Sequence, residues 1–552
     1  MAALAGCGLI YEYLLSHYAA RVLGAVESTI FTMIGLMIVS MGFGSFAAKK
    51  IQDAHTAFAW LEICIAFLGL GAIFIIALAF SFANLLPAII AETYRLSPDL
   101  QPEGGVAKSI YDFVSLFPYI IGTLLGFLIG MEIPLIARIR QHNHDKQLLH
   151  NTGTIYGADY IGAGIGAAIW VIFMLNMPIT AAAATTASIN VIAGLSFYFR
   201  YQKHIRYPNL YFFSQLLLIA LTFAVFAYGS QWSNQLENTL YKDSVIFSKQ
   251  TKYQRFTITK RIMDPAQDAV FTFFINGRTQ FSSSDEIIYH EMLVHPAMLA
   301  SANHDNILII GGGDGLALRE VLKWNPKKVT LIDLDEEIVT FFSKPYYDSK
   351  SEKFINTPLI KLNKNAFSDP RVNLVYGDAF IEIDQLLKNE ILFNSIIVDL
   401  PDPNHPDLNK LYSKRFYEKL SHLLSGDGAI VVQSTSPYHA KNAFLSIGKT
   451  VKAAGFLHVN QYHQNVPSFG EWGWTIATRN GLPPITRLKN SNTIPIKTNW
   501  LTLEISLAAF HFPQNYFATL NSIQVNRLGS HQLYQYHQTA WEKQQGIYQI
   551  EP

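Results

Sequence analysis

Three aspartates, Asp314, Asp399 and Asp402, have the chemistry and the sequence positions to bind a substrate that carries positive charge. Asp314 lies in the glycine-rich segment 311–315, whose backbone can approach a nucleoside closely. A carboxylate at this position repels a diphosphate and attracts an amine. It also opposes the carboxylate of S-adenosylmethionine, so the segment favours the decarboxylated form, which carries a sulfonium and a primary ammonium. Capping of the following helix is the alternative role for Asp314.

Asp399 and Asp402 belong to the segment VDLPDPNHP, in which Pro401, Pro403 and Pro406 exclude a helix and stiffen the loop. A pocket with these carboxylates and that of the glycine loop suits a diamine with an ammonium at each end. We expect Asp399 to be the general base, which takes the proton an incoming amine must lose before it attacks the carbon beside the sulfonium. The sulfonium activates that carbon by its own charge, so the reaction requires no metal.

The elements that must position these residues begin with a strand, glycine loop, helix and strand between residues 306 and 335. Asp333, 22 residues after the first glycine of the loop, ends the second strand, where a carboxylate can bind two ribose hydroxyls. Further strands are predicted at 372–378, 395–400 and 428–434, with helical stretches between them. We therefore expect a mostly parallel, Rossmann-like sheet of the methyltransferase type with helices on both faces.

The carboxyl ends of the strands are the usual ligand-binding edge of such a sheet. Four polar residues lie at or near predicted strand ends: Asp333, Asp378, Asp399 and Gln433. Asp378 is placed to accept a hydrogen bond from an adenine amino group, and an N-cap of the following helix is its alternative role. The pattern predicts a nucleoside site surrounded by acidic residues.

Short β segments and a helix precede this sheet. Residues 241–281 contain strand-like runs separated by Asp-Pro and Asn-Gly turn signals, which predicts a small antiparallel β domain. Residues 285–298 follow as an apolar-periodic helix that carries Tyr289 and His290. This helix leads directly into the glycine-loop unit.

Composition separates the two halves of the chain. Half of the 552 residues are apolar and 15% are charged, and the apolar excess is confined to roughly the first 230 positions. Seven stretches are long enough to cross a bilayer, for which ~20 apolar residues are needed: residues 2–20, 29–48, 57–82, 110–136, 154–175, 179–199 and 210–228. We interpret the first stretch as a retained span, because no small-residue cleavage pattern precedes a polar segment. The net charge of +1 gives no reason to expect nucleic-acid binding.

Four acidic residues lie at or near membrane depth in these stretches: Glu12, Glu62, Glu132 and Asp159. A carboxylate within a bilayer is costly, so each must face protein or water, or be protonated. If they are buried together, they could hold a polyamine or relay protons. Placement at the membrane interface is the alternative for Glu132 and Asp159.

Basic residues indicate which face of the membrane is cytoplasmic. They fall in loops on one face: Lys49, Lys50, Arg138, Arg140, Lys146, Arg200, Lys203 and Arg206. By the charge rule this face is cytoplasmic, and seven spans then place the second half of the chain outside. Decarboxylated S-adenosylmethionine is a cytosolic metabolite, so either a span is miscounted or the catalytic half works in an unexpected compartment. The sequence leaves both alternatives open.

With these residues assembled, the second half of the chain resembles the polyamine aminopropyltransferases, the spermidine synthase family, and the apolar half makes it similar to the membrane-type branch. The resemblance runs from about residue 253 to residue 478 and is carried in order by Tyr253-Gln254, NGRTQ, DEIIYHE, HP at His295, GGGDG, Asp333, Gly377-Asp378, VDLPDP, Leu411-Tyr412 and VPSFGEWGW. It implies transfer of the aminopropyl group of decarboxylated S-adenosylmethionine to a diamine such as putrescine. The products would be spermidine and methylthioadenosine.

The resemblance also implies a role for each site residue. Gln254, Asp333, Asp378 and Ala379 hold the thioadenosine with Gln280 close by, Asp314 binds the aminopropyl ammonium, Tyr289 and His290 border the amine, Asp399 accepts the proton, and Asp402 and Gln433 hold the far end of the acceptor. Decarboxylated S-adenosylmethionine is a co-substrate, and neither a metal nor a prosthetic group is implied. Phe469 stands where a tyrosine is usual and Asp333 where a glutamate is usual, which bears on the identity of the acceptor amine.

The sequence therefore predicts an α-helical transmembrane bundle of about seven spans (1–230), a small β-strand domain (231–284), a Rossmann-like catalytic domain (285–480) and a C-terminal extension without an interpretable motif (481–552). We expect a multi-pass protein of the cell membrane, the inner membrane in a bacterium, and homo-oligomers by resemblance only. Two other functions stay open. One is a methyltransferase that uses intact S-adenosylmethionine, and the other is a membrane polyamine transporter or sensor whose soluble half binds without turnover.

Overall fold

The computed structural model describes residues 1–23, 26–93, 106–143, 148–262, 264, 266–348 and 352–545. Lys146, which contributes to the charge pattern above, lies outside these residues. The chain divides into two compact units, Met1–Lys242 and Asp243–Pro552. The first unit is helical and the second combines sheets with helices.

The described part of the first unit contains eight α-helices: α1 Ala2–Leu23, α2 Val26–Ala47, α3 Ala54–Thr93, α4 Val106–Val114, α5 Phe117–Asn143, α6 Leu148–Ile172, α7 Ile179–Tyr201 and α8 Pro208–Asn238. Six stretches within them are long and apolar enough to cross a membrane: Thr29–Lys50, Ala54–Pro87, Lys108–Gln141, Gly153–Ile172, Ile179–His204 and Pro208–Leu236. Helix α1, which the sequence predicts as the first of seven spans, is not among the six. Its 22 residues include Glu12, His17 and Arg21, which lower its apolar character.

One predicted span is not a single helix in the structure. The stretch 110–136 is two helices rather than one, because α4 ends at Val114 and α5 begins at Phe117. Pro118 stands in the first turn of α5, where a missing backbone N–H costs no helical hydrogen bond. The chain therefore starts a new helix at this proline.

Three of the four acidic residues predicted at membrane depth lie inside the first unit. Glu12 of α1, Glu62 of α3 and Glu132 of α5 are buried, and Asp159 of α6 is half-buried. Nδ2 of Asn190 in α7 donates a hydrogen bond to Oε2 of Glu62 at 3.0 Å. The three glutamates therefore face protein, whereas Asp159 stays partly exposed.

The second unit is built on two main sheets. The strands are β1 Ser244–Gln250, β2 Arg255–Arg261, β3 Val270–Ile275, β4 Arg278–Ser282, β5 Asn306–Gly311, β6 Lys328–Asp333, β7 Tyr347–Asp348, β8 Lys353–Phe354, β9 Val372–Tyr376, β10 Phe393–Asp399, β11 Leu424–Gln433, β12 His458–Val466 and β13 Gly470–Thr478. Strands β1 to β4 form an antiparallel sheet in chain order. The larger sheet has the order β12-β13-β11-β10-β5-β6-β9.

The larger sheet confirms the predicted Rossmann-like arrangement. Strands β11, β10, β5, β6 and β9 are parallel, whereas β13 runs antiparallel to both of its neighbours, β11 and the edge strand β12. The sequence does not predict this edge hairpin, since only Tyr462 and Val466 are buried in β12 and its other residues are polar or half-exposed. A strand that buries so few residues lacks a clear alternating pattern.

Helices cover both faces of the larger sheet. They are α9 Glu286–Ala300, α10 Leu316–Leu322, α11 Glu336–Ser343, α12 Thr357–Leu362, α13 Ala379–Lys388, α14 Lys414–Leu423, α15 Lys441–Ala453, α16 Pro484–Lys489, α17 Leu503–Ala508 and α18 Gln532–Gln545. Ile307 and Ile309 of β5 pack into one core, and Leu308 and Ile310 pack into a core on the opposite face. Burial on both faces explains why β5 is an unbroken apolar run.

Candidate active site

The glycine loop connects β5 to α10 at the centre of the sheet. Gly311, Gly312 and Gly315 have φ of +80°, +69° and +79°, a region that other residues rarely adopt. A Cβ on Gly311 would lie 2.0 Å from the backbone oxygen of Asp399 in β10. Glycine at this position therefore allows the loop to pack against the end of the neighbouring strand.

Two carboxylates flank this loop. A Cβ on Gly313 would lie 2.8 Å from Oδ2 of Asp333, and a Cβ on Gly312 would lie 3.3 Å from Oδ2 of Asp399. Asp333 ends β6 and Asp399 ends β10, on either side of β5. Two of the predicted strand-end carboxylates therefore lie against the glycine loop.

Asp314 lies within the loop itself. Its Oδ1 accepts a hydrogen bond from the backbone N–H of Leu316 at 2.9 Å, so the predicted alternative role at the start of α10 is also realised. Burial raises the pKa of this carboxyl, while the positive charges of His290 and Arg319 oppose the rise. Asp314 therefore binds the first backbone N–H of α10, and its carboxyl group lies close enough to Asp333 and Asp399 to affect their pKa values.

Asp399 has the properties of a base near neutral pH. Burial raises the pKa of its carboxyl to about 6, the charge of His290 opposes that rise, and Asp314 adds to it. The hydroxyl of Tyr289 donates a hydrogen bond to Oδ1 at 2.7 Å. This bond fixes the orientation of the carboxylate and leaves Oδ2 on the side of the glycine loop.

Asp333 has a different environment. Its Oδ1 accepts a hydrogen bond from the backbone N–H of Asp335 at 2.9 Å. Burial raises the pKa of Asp333 to about 7, and the charges of Asp335 and Asp314 contribute to the increase. A cationic ligand beside these carboxyl groups would stabilise their charged forms.

A buried ion network supports the helix that carries Tyr289 and His290. Nδ1 of His290 lies 2.9 Å from Oε2 of Glu286, and Arg319 of α10 binds both Glu286 oxygens at 2.7 and 2.9 Å. Burial lowers the pKa of His290, but the bond with Glu286 outweighs it and the pKa is raised to about 8. His290 is therefore mostly cationic at neutral pH and fixed in position.

A second polar cluster surrounds Asp402. Its Oδ1 accepts from Nε2 of Gln433 at 2.6 Å, while Oγ1 of Thr435 and Nε2 of His537 each lie 3.2 Å from Oδ2. The hydroxyl of Tyr412 donates to Oε1 of Gln433 at 3.0 Å. Thr435 has a φ of +59°, which is strained for a β-branched residue and typical of functional sites.

The predicted adenosine-binding residues are only partly together. Asp378 caps α13 by accepting from the backbone N–H of Phe380 at 3.0 Å, and it pairs with Lys410, so its alternative role is realised. Ala379 follows as the buried first residue of that helix. The backbone N–H of Gly377 donates to the Asp333 carbonyl at 2.9 Å, which keeps this turn beside the end of β6.

The two glutamines of the predicted nucleoside site, Gln254 and Gln280, make different hydrogen bonds. Nε2 of Gln254 lies 3.3 Å from Oδ2 of Asp335, so Gln254 reaches the strand end next to Asp333. Nε2 of Gln280 donates to the backbone carbonyls of Arg278 and Thr279, at 3.2 and 3.3 Å. Gln280 is thus hydrogen-bonded within its own strand and not to the predicted site residues.

Several site residues have weak or no sequence signals. The i,i+4 spacing of Glu286 and His290 on a helix is a signal for their pairing. Asp335, two residues after a strand end, caps α11 and is typical of a turn. His537 is 135 residues from Asp402 in a segment without a motif, so its contact is set by tertiary packing.

One group in the described part of the chain has metal-ligand spacing: Glu291, His295 and Glu320, whose ligand atoms lie within 4.8 Å of one another. Glu291 accepts from the backbone N–H groups of residues 499–501 at 2.7 to 2.9 Å. Nζ of Lys323 lies 2.5 Å from Glu320 Oε2. These donors already compensate the carboxylates, so the group fits a structural network better than a metal site.

Known proteins match nearly the full length of the chain. The family model described as "Spermine/spermidine synthase domain" matches residues 286–489. The chain is 54% identical over 99% of its length to a polyamine aminopropyltransferase of Shewanella oneidensis, covering 95% of that protein. It is 30% identical over 97% of its length to a polyamine aminopropyltransferase of Oceanobacillus iheyensis, covering 95% of that protein. It is 32% identical over 92% of its length to polyamine aminopropyltransferase 1 of Streptomyces coelicolor, covering 88% of that protein. The similarity therefore includes the helical unit and the C-terminal extension.

Proposed function

Because this chain belongs to the polyamine aminopropyltransferase family, we propose that its second unit transfers the aminopropyl group of decarboxylated S-adenosylmethionine to putrescine or a similar diamine, giving spermidine and methylthioadenosine. The observation that carries the choice of residues is the meeting of Asp314, Asp333 and Asp399 at one glycine loop. Such a concentration of negative charge suits two cationic reactants.

The nucleoside lies at the ends of β5, β6 and β9. Asp333 binds the ribose hydroxyls, and the turn at Asp378 and Ala379 borders the adenine, with Gln254 next to Asp335 at the same edge. Asp314 pairs with the primary ammonium of the aminopropyl group. Intact S-adenosylmethionine would place a carboxylate beside Asp314, so the site discriminates by charge repulsion.

The transfer is a direct displacement. The reacting ammonium of the acceptor first gives a proton to Asp399, which frees the lone pair of its nitrogen. That lone pair attacks the carbon beside the sulfonium, a C–N bond forms, and the C–S bond breaks with its electron pair moving to sulfur. Methylthioadenosine leaves as a neutral molecule, and the new secondary amine carries the positive charge. With a pKa of about 6, the Asp399 carboxyl is ionised at neutral pH. Its pKa is also close enough to that pH for Asp399 to act as an efficient base.

The acceptor diamine lies between two acidic groups. Its reacting nitrogen is next to Asp399 and Tyr289, and its distal ammonium binds Asp402 and Gln433. Phe469, whose ring centre is 5.9 Å from that of Tyr289, supplies an apolar wall to the methylene chain without a hydroxyl. Charge at both ends and an apolar middle fit a diamine.

We propose that the first unit is a multi-pass bundle in the cell membrane, with α1 as a seventh span. Large apolar side chains point outwards, including Phe31 (70% exposed), Phe213 (67%) and Phe223 (71%). Such a surface is favourable in lipid and unfavourable in water. α1 is suited to the interior of the bundle, because it carries Glu12 and the fully buried Tyr11.

The side of the membrane is decided by experiment. The charge rule places Arg200, Lys203 and Arg206 on the cytoplasmic side. Between these residues and the second unit the chain contains a single span, α8, so the rule places the second unit outside whether or not α1 is counted. Protease digestion of sealed right-side-out vesicles tests it. Digestion of the second unit supports an outside location, and protection places that unit on the side of the cytosolic nucleoside supply.

The activity test uses the purified full chain in detergent. We expect methylthioadenosine and spermidine only when decarboxylated S-adenosylmethionine and putrescine are both present. Intact S-adenosylmethionine should neither replace the first substrate nor yield a methylated amine. Absence of methylthioadenosine with every diamine tested, or a methylated product, would reject the proposal.

A further inference from the structure

The C-terminal extension contributes a side chain to the acceptor end of the site. His537 of α18 is 1% exposed, and its Nε2 lies 3.2 Å from Oδ2 of Asp402. The family model ends at residue 489, so this histidine lies beyond the part of the chain that the model matches. The family match therefore gives His537 no role.

Buried hydrogen bonds join the extension to the loop after Asp402. Nδ2 of Asn526, which is fully buried, donates to the backbone carbonyls of Asn409 at 3.2 Å and Tyr412 at 3.1 Å. The backbone N–H of Lys414 donates to the Asn526 carbonyl at 2.8 Å. Because these bonds are shielded from water, they hold the extension in a fixed position against this loop.

A lysine of α15 provides a second attachment. Nζ of Lys449 donates to the backbone carbonyls of Leu520, Asn521 and Ile523 at 3.0, 3.1 and 2.7 Å. Leu533, which is fully buried in the core beneath α14 and α15, lies four residues before His537 and so on the same face of α18. Burial of Leu533 therefore turns His537 towards Asp402.

The carboxylate of Asp402 is held by donors on both oxygens. Gln433 binds Oδ1, while Thr435 and His537 bind Oδ2. We propose that His537 is a positioning residue that fixes the orientation of Asp402 and thereby sets the length of diamine that the site accepts. This inference rests on the proposed binding of the distal ammonium by Asp402. A carboxylate held in one orientation receives that ammonium at one distance from Asp399, so diamines of other lengths fit less well.

Two substitutions separate the hydrogen bond from the volume of the ring. His537→Phe keeps an aromatic ring and removes the donor, whereas His537→Gln keeps an N–H group at similar reach and removes the ring. Initial rates are measured on the full chain with saturating decarboxylated S-adenosylmethionine and varied 1,4-diaminobutane or 1,5-diaminopentane. His531→Ala is the matched control, because His531 is an exposed histidine at the start of the same helical segment.

We expect His537→Phe to raise KM for 1,4-diaminobutane about tenfold, the effect of losing one hydrogen bond to a charged group. kcat should stay within about twofold, and the preference for the four-carbon over the five-carbon diamine should fall. His537→Gln should restore most of the wild-type KM and preference. His531→Ala should match the wild type.

Two results would overturn the inference. Unchanged diamine KM and length preference in His537→Phe would show that the contact has no role in acceptor binding. Equal losses in both variants would show that an N–H donor restored by Gln does not restore acceptor binding, so that disturbed packing and not the hydrogen bond accounts for the loss. Either result leaves the proposed function intact provided that the wild type releases methylthioadenosine, whereas an inactive wild type rejects the proposed function itself.

Discussion

The proposed nucleoside end and the proposed acceptor end of the site are built from different kinds of contacts. At the nucleoside end, Asp314 and Asp333 come from one continuous strand, loop, helix and strand unit. At the acceptor end, Asp402 is held by three side chains that lie 31, 33 and 135 residues away in the chain. Local contacts therefore set the nucleoside end, and long-range packing sets the acceptor end. Substitutions at the two ends should change different kinetic constants.

The largest effect is expected where the two ends meet. Asp399→Asn removes the base but keeps the size of the side chain and its contact with Tyr289, so kcat should fall about a thousandfold. Methylthioadenosine release under saturating substrates measures it. Asp407→Asn is the matched control, because the Asp407 side chain is 84% exposed in the loop after Asp402. A loss of less than about tenfold would remove Asp399 from the role of general base.

A large stability effect is expected at the nucleoside end. Arg319→Leu removes the bidentate partner of Glu286, and both side chains are at most 5% exposed. A buried carboxylate that loses this partner and keeps only the His290 contact should lower the free energy of unfolding by about 3 kcal/mol. Thermal and denaturant unfolding of the full chain in detergent measure the change. The double variant Arg319→Leu/Glu286→Gln should recover part of it, and no recovery would mean that the loss comes from packing.

A matched pair of substitutions compares the two ends directly. Asp314→Asn keeps the oxygen that accepts from Leu316 and removes the charge, so KM for decarboxylated S-adenosylmethionine should rise about tenfold with little change in KM for the diamine. Asp402→Asn should show the opposite pattern. Initial rates with each substrate varied in turn measure both constants. If either variant raises both KM values equally, the division into two ends is wrong.

The smallest expected effect is a shift in the pH dependence of kcat/KM. Asp399 must be ionised to accept a proton, so kcat/KM should fall as the pH drops through about 6, the raised pKa of this carboxyl. The Tyr289 hydrogen bond stabilises the charged form, and Tyr289→Phe should therefore move the acidic limb to higher pH. Tyr438→Phe, at an exposed tyrosine, is the control. A shift to lower pH would contradict the assignment of this limb to Asp399.

The sequence alone determined the parts that depend on neighbouring residues. Residues 306–335 contain the strand, the glycines with positive φ and the carboxylate at the next strand end, so the nucleoside half of the site is predictable from local pattern. Apolar runs also revealed the helical unit, where the one difference in count is α1, whose polar residues keep it out of the six stretches with span-like composition. Helix capping by Asp378 and Asp314 was among the predicted alternatives.

Only the tertiary structure decided which distant residues meet. No local pattern links His537 to Asp402 or Asn526 to the loop of residues 406–412, because these contacts arise when the extension packs on α14 and α15. Gln280 matches a motif but bonds to its own strand, since side-chain direction is set by packing rather than by identity. Sequence fixes the types and local spacing of the groups, and the packed core fixes the distances over which their charges act.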